Sequence, residues 1–182
     1  MQTDPVFQEW IAPFVMAGIN TPVVLRSNAL QNGAYGEGFQ YDEGILTGSG
    51  TVGWLAAQGV KWALDAMALA VAIAPSRWLL TQVLPKPGEG PTEEAQNEGF
   101  YDLRFWGQTI SGHSLMVKVT GDRDPGYGST AKILAQAGLC LAKDKSKSSP
   151  PGGFWTPATI FGQALIQRLI DYAGLTFTEI EE

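Results

Sequence analysis

The chain is poor in the residues that most often carry chemistry. Among its 182 residues there is one cysteine, Cys140, and one histidine, His113. A single thiol excludes an internal disulfide framework and a cysteine-cluster metal site. A single imidazole excludes every motif that needs two. Basic residues are scarce as well: 12 Lys and Arg against 18 Asp and Glu give a formal net charge of -6. That balance lacks the basic footprint of an electrostatic nucleic-acid binder. Long apolar runs are missing too. The most hydrophobic stretch, Ala66 to Ala74, is bounded by Asp65, Pro75 and Arg77. It falls far short of the roughly 20 residues a bilayer span requires, so it is expected to be a buried helix or strand, with no membrane partner. Met1 to Pro5 has an early acid and no basic stretch, unlike a secretory signal. A cytoplasmic protein is the resulting expectation.

The residues that are plentiful suit a folded domain. Hydrophobic residues make up 45% of the chain and charged residues 16%, enough for a sizeable core in a single domain over residues 1–182. The 22 glycines and 11 prolines make it turn-rich without reaching the composition of a disordered tract. Phe7, Trp10, Ile11, Phe14 and Val15 recur at offsets of three and four, which predicts an amphipathic helix over Asp4–Ala17 interrupted at Pro13. Asn20–Gln31 ends near the turn signal Asn32-Gly33. Gln40–Thr47 reads as a strand, and Thr51–Asp65 as a helix capped by Ser49 or Thr51. Pro85–Gly99 is a breaker-rich loop that divides the chain.

The clearest β pattern lies beyond that loop. Tyr101, Leu103 and Phe105 alternate with Asp102, Arg104 and Trp106. Leu115, Val117 and Val119 alternate with Met116, Lys118 and Thr120. With Ser111-Gly112-His113 between them, the two runs predict a hairpin with one buried face. A helix over Ser129–Ala142 would place Ile133, Leu134, Ala137, Cys140 and Leu141 on one side. A second would open at Thr156-Pro157, carry Phe161, Leu165, Leu169 and Tyr172 inward, and stop at Gly174. Lys143–Gly153 reads as a solvated loop, and Leu175–Ile180 as a last short strand. The fold class is α+β: an antiparallel sheet built around the 100–120 hairpin and covered by helices.

Each candidate for chemistry has a plainer reading beside it. Gly48-Ser49-Gly50-Thr51-Val52-Gly53 is a literal GxGxxG between a strand and a helix, the context in which glycines let a backbone approach pyrophosphate. About twenty residues on, where a ribose-binding acid belongs, the chain reads Ala70-Val71-Ala72-Ile73-Ala74. A turn leading into a helix is the simpler assignment. His113 beside the hairpin turn has no partner for acid–base work. Cys140 on an apolar helix face reads as a structural thiol. Asp122 and Asp124 would bind a cation or basic group, or else shape a turn and cap the next helix. Arg26, Ser27 and Asn28 would clamp a carboxylate, with Arg26 bidentate, or else lie along a helix surface.

Several segments together resemble a known family. They are Ile19–Leu30, Tyr35–Tyr41, Leu84–Pro91, Gly121–Tyr127 running into Thr130-Ala131-Lys132, Ala137–Ala142, Thr156-Pro157-Ala158, Gly162 and Gly174–Phe177. In that order they resemble the bacterial saccharopine dehydrogenase-like oxidoreductases, including the trans-acting enoyl reductase type. The resemblance covers nearly the whole chain. It is confined to the part of the family that lies after an N-terminal Rossmann domain, and that domain has no counterpart here. It therefore implies a C-terminal domain making substrate-side and subunit contacts, not catalytically complete alone. NAD(P) would belong to the complete family member, with no cofactor bound by this chain by itself. A homo-oligomer, such as a dimer, or a Rossmann-domain partner is implied. The substrate side would then draw on Arg26, Ser27 and Asn28, on Pro87, Gly88, Glu89 and Gly90, and on Asp122, Asp124, Gly126 and Tyr127. In that arrangement Arg26 supplies charge complementarity and Tyr127 a hydrogen bond. A non-catalytic homodimerisation or docking module is the alternative. A small self-contained nucleotide-binding enzyme is a third reading that rests on Gly48–Gly53 alone.

Overall fold

The computed structural model describes residues 2–86, 88–146 and 152–180. The chain divides into two compact units, residues 1–89 and 90–182. The boundary falls inside the breaker-rich Pro85–Gly99 segment. Helices and antiparallel strands alternate through both units, so the fold is α+β as expected.

In the first unit, β1 (Ile11–Pro13) pairs antiparallel with β2 (Gly44–Leu46), with Ile11 opposite Leu46. The amphipathic helix expected over Asp4–Ala17 does not form. One carboxylate oxygen of Asp4 accepts the N–H groups of Val6 and Phe7, both at 2.8 Å. This local turn takes the donors a helix would have used. Gln8 then adopts a left-handed φ of 54°, and the chain leaves extended toward β2. Helix α1 (Ala17–Leu30) comes next, with Pro22 inside it. It ends where the sequence signalled a turn: Asn32 and Gly33 have φ of 55° and 75°, and the Gly33 N–H returns to the Asn28 carbonyl at 2.9 Å. The strand expected over Gln40–Thr47 contracts to β2.

Helix α2 (Gly50–Ala72) runs through the expected Thr51–Asp65 helix and on through the apolar stretch. A second helix, α3 (Ala74–Val83), begins at the Ala74-Pro75 step. Ser49 stands at the N-cap of α2 without a side-chain capping bond. Two expectations fail here. The Ala66–Ala74 stretch is exposed rather than buried, since only Gly53 and Ala57 of α2 are buried. Nor does length exclude a bilayer span, because the apolar run is embedded in a 23-residue helix long and apolar enough for one. A period of 3.6 cannot tell which side of an all-apolar helix meets a neighbour.

In the second unit, α4 (Glu93–Glu98) precedes a three-stranded antiparallel sheet of β3 (Tyr101–Gln108), β4 (Ser114–Gly121) and β5 (Leu175–Ile180), with β4 central. The hairpin and the final strand lie where the sequence put them. The turn is closed by the Thr109 N–H on the His113 carbonyl at 2.8 Å, with Gly112 at φ 89°. Helices α5 (Gly128–Leu139) and α7 (Gln163–Ala173) pack against each other. With the sheet they enclose Val119, Cys140, Phe161, Leu165, Leu169, Ala173 and Leu175. The buried face expected of the whole hairpin is confined to β4 and β5. Leu103 and Phe105 on β3 stay exposed, and α4, six residues long and polar apart from Ala95, brings no apolar face to cover them.

Three further details depart from the periodicity. Leu134 and Leu141, expected inward, are exposed. From Cys140 to Asp144 the helix widens into a π turn, which shifts the register after Cys140. The last helix is split into α6 (Pro157–Ile160) and α7, with Gly162 at φ 53° between them. Ala173, not Tyr172, continues the inward row of Leu165 and Leu169. Thr156 caps α6 as expected, through a reciprocal arrangement with Thr159. Of the solvated loop expected over Lys143–Gly153, residues 147–151 lie outside the described residues.

The π turn is tied to the helices by Arg168, which donates to both carboxylate oxygens of Asp144 and to Gln136 Oε1 at 3.2 Å. The hydrogen bond from Arg168 is the main force holding the Asp144 carboxyl below its ordinary range, against some opposing desolvation. Its folded pKa therefore lies below the unfolded value of about 3.9. The pair contributes stability above that value and loses it as pH falls through the folded pKa. An Arg168→Met variant should accordingly be less stable than the parent at neutral pH. The gap in urea midpoint should close below about pH 4; a gap unchanged down to the acid limit would remove Asp144 as its cause.

Candidate functional site

The Asp122–Tyr127 segment links β4 to α5 and is the most organised of the candidate regions. Asp124 holds it together. Its carboxylate accepts the N–H of Tyr127 at 3.0 Å and of Gly128 at 2.7 Å. Its carbonyl accepts the Ser129 N–H at 2.9 Å, and its own N–H donates to the Gln96 carbonyl at 3.0 Å. A carboxylate on the first free N–H groups of a helix satisfies donors that otherwise lack partners and favours the positive helix end. Gly99 is pressed against this residue; a Cβ there would lie 2.6 Å from the Asp124 backbone. Asp122 points elsewhere, into a two-pronged ion pair with Lys132 at 2.8 Å. Asp124 thus takes the turn-and-cap role, whereas Asp122 engages a basic side chain, that of Lys132.

Beneath this turn, buried Ser129 bonds the Tyr101 hydroxyl at 2.8 Å. The ring of Tyr101 in turn covers Gly121, where a Cβ would come within 2.2 Å of it. The support is therefore rigid. On it sits Tyr127, about half exposed, its ring 3.1 Å from where a Gly90 Cβ would project. Gly90 and Tyr127, from the two ends of the candidate set, are thus brought together, and a side chain at 90 would displace the ring. Gly126 is exposed and has ordinary space around it. This cradle can present a phenolic hydroxyl to a ligand as a hydrogen-bond donor.

The other candidates do not join it. Gly88 takes φ 90°, and the Glu89 carboxylate folds back onto the Lys86 N–H at 2.9 Å, so this glutamate closes its own turn. Pro87 lies outside the described residues. Arg26, Ser27 and Asn28 occupy α1 in the first unit and diverge. Ser27 is buried and donates to the Val23 carbonyl at 2.8 Å. Asn28 accepts the Tyr35 N–H at 2.8 Å. Arg26 is exposed. Successive helical residues are about 100° apart, so adjacency in sequence does not give a shared site. His113 serves the hairpin turn through its backbone, and Cys140 is fully buried, its thiol pushed up by burial.

The Gly48–Gly53 turn does not fit a dinucleotide. Its strand belongs to an antiparallel pair, not a parallel βαβ unit. The Gly48 N–H is taken by a carboxylate oxygen of Glu9 at 3.0 Å, and the Gly48 carbonyl by the Trp10 N–H at 2.9 Å. An acid on a turn N–H opposes a phosphate there. Gly53 is required for packing: a Cβ would meet the Gly48 carbonyl oxygen at 2.1 Å.

One cluster was not marked by the sequence. A shallow concavity of about 290 Å³ in the first unit is lined by Gln2, Ile11, Ala12, Pro13, Glu43 and Lys61. Glu43 accepts the Tyr41 hydroxyl at 2.7 Å and the Asn20 side-chain amide at 2.9 Å. Burial first, then the glutamate, pushes the Tyr41 phenol well above its usual range. Asn20 lies 23 residues from Glu43, so no local motif announces the cluster. Among the described residues no group of three His, Cys, Asp or Glu side chains is arranged to hold a metal.

The chain is similar to mycobacterial proteins named for enoyl reduction. A Mycobacterium tuberculosis relative, provisionally named a trans-acting enoyl reductase, is 39% identical over 163 residues. Proteins named trans-acting enoyl reductase from Mycobacterium bovis and Mycobacterium leprae are each 36% identical, over 172 and 166 residues. Each match covers 88% of this chain and 39% of the relative, so the chain spans about two-fifths of the length of these relatives. No family model matches the chain. No solved structure gives a significant match.

Proposed function

We propose that residues 1–182 form the substrate-side portion of an enoyl reductase-type oxidoreductase, incomplete by itself as a catalyst. The observation that carries this reading is the 36–39% identity, sustained over 88% of the chain, to proteins named trans-acting enoyl reductases. The wider saccharopine dehydrogenase-like membership, a C-terminal place in a longer protein and a cytoplasmic setting belong to the same proposal. Enoyl reduction delivers a hydride to one alkene carbon and a proton to the other. The hydride donor implied for such enzymes is NAD(P)H, which would supply the hydride and which the complete protein would have to hold. The glycine turn of this chain does not suit that task, so no step is assigned to it. What the chain offers is the cradle around Tyr127. Its hydroxyl would donate to the carbonyl oxygen conjugated with the alkene, while Asp124 fixes the backbone that carries it.

Calorimetric titration of the purified chain with a short enoyl thioester tests the reading, with NADPH titrated in parallel. The thioester should bind and NADPH should not. Tyr127→Phe should weaken thioester binding about tenfold, the effect of one hydrogen bond worth about 1.4 kcal/mol. Failure of the thioester to bind, or an unaltered affinity in the phenylalanine variant, would overturn the cradle as a substrate site. Stoichiometric uptake of NADPH would replace the proposal with a self-contained nucleotide-binding enzyme.

A further inference from the structure

We propose that the concavity formed by β1, the segment leading into β2 and α2 is a binding site for a small primary ammonium compound with a short apolar body, and that Glu43 takes the ammonium. The inference stands apart from the enoyl reductase reading, because every lining residue belongs to the first unit. The volume of about 290 Å³ is near the lower end for ligand sites, roughly 300–1,000 Å³. That limits the occupant to a small molecule. One part of the lining is apolar: half-buried Ile11, buried Ala12 and exposed Pro13. The polar part is Glu43, Lys61 and Gln2.

Glu43 is set in place by its surroundings. One carboxylate oxygen accepts the Tyr41 hydroxyl at 2.7 Å, and the other accepts the Asn20 side-chain amide at 2.9 Å. Burial first, then the carboxylate, raises the Tyr41 phenol, so it remains a donor. The next residue, Gly44, pairs with Pro13 across the two strands. A Cβ on Gly44 would meet the Ile11 side chain at 2.3 Å, so the backbone carrying Glu43 is pressed close to the apolar lining. A carboxylate oxygen has two lone-pair positions, and each oxygen of Glu43 keeps one for an incoming N–H. The charge balance then selects a cation. Both donors to Glu43 are neutral, and Glu43 makes no ion pair among the described residues. Lys61 is engaged by Asp65, one turn further along α2, a spacing at which helical side chains meet. With that pair neutral, the concavity keeps the charge of Glu43 uncompensated. A half-buried carboxylate without a counter-ion is costly, and an ammonium offsets that cost through charge-assisted hydrogen bonds. An anion would be repelled, and a purely apolar compound would leave the charge unmatched.

Calorimetric titration of the full chain with 2-phenylethylammonium tests the site, with 2-phenylethanol as the uncharged counterpart. The ammonium should bind one to one and about tenfold or more tighter than the alcohol, the scale of one charge-assisted hydrogen bond. Glu43→Gln should abolish that preference. Tyr41→Phe keeps the carboxylate but removes one tether, and should weaken ammonium binding about threefold or more with an unchanged circular dichroism spectrum. The wild-type contrast between the two compounds holds even if the Glu43 variant misfolds. Lys61→Met separates an added ligand from the chain's own ammonium, and should alter the affinity by less than about threefold. Equal affinity for ammonium and alcohol would overturn the proposal. So would a preference that survives in a folded Glu43→Gln variant. A gain of more than about tenfold in Lys61→Met would overturn it too, by making Lys61 the partner of Glu43 in solution.

Discussion

Truncating Leu169 to alanine should destabilise the second unit by about 3 kcal/mol, within the usual range for a buried leucine. Leu169 is 7% exposed and lies amid Val119, Cys140, Phe161, Leu165, Ala173 and Leu175. The loss combines the transfer free energy of the removed methyl groups with the cavity left behind. Helix propensity cannot mask it, because leucine and alanine differ little within a helix. For a unit of this size the thermal midpoint should fall by more than about 10 °C. Tyr172→Ala is the matched comparison. The sequence periodicity placed Tyr172 inward, but it is 65% exposed, so its removal should cost about 0.5 kcal/mol or less. Thermal melts of the two variants decide between the registers. Comparable losses would return Tyr172 to the core.

Gly53→Ala should also be costly, about 2 kcal/mol or more, although glycine to alanine within a helix ordinarily stabilises by about 1 kcal/mol. The sign reverses because the new Cβ would lie 2.1 Å from the Gly48 carbonyl oxygen. That oxygen is backbone and cannot rotate away. It is also held by the Trp10 N–H, so yielding would disturb the approach to β1. Gly138 in α5 provides the contrast, because nothing lies within 4 Å of its would-be Cβ. Gly138→Ala should therefore raise stability slightly. Urea unfolding of both variants would show the opposite signs. A neutral or stabilising Gly53→Ala would mean that the turn is looser than the structure has it. The comparison isolates the packing role of Gly53, the helix-on-turn contact with Gly48.

Much of the second unit was legible in advance for a local reason. Alternation in Tyr101–Gln108 and Ser114–Gly121 has period 2 and admits little but paired strands. Thr156-Pro157 and Gly174 mark helix ends through backbone chemistry that acts at the residue itself. Asp124 before Pro125 and Gly126 signalled a cap and became one. The cradle at Tyr127 was legible only in part. Its turn was visible, but the approach of Gly90 joins residues far apart in the sequence and leaves no periodic trace.

Elsewhere the local signal lost to a longer-range one. The spacing of Phe7 to Val15 predicts a helix, yet Asp4 capturing two N–H groups and the pairing of β1 with β2 drew the segment into extended structure. Leu141 lost its inward place to a π turn anchored by Arg168 from another helix. The side of α2 that meets a neighbour could not be read at all, because apolar residues surround the helix.

The sequence by itself determined the class α+β, the hairpin, the helix ends at Asp124, Thr156 and Gly174 and the inert setting of its one cysteine, since each arises from the covalent and conformational preferences of a few adjacent residues. Only the tertiary structure decided which apolar faces are covered, that Arg26, Ser27 and Asn28 diverge, and that Gly53 serves packing. Those outcomes depend on which distant segment arrives against each residue, and burial and steric contact belong to the pair rather than to either partner.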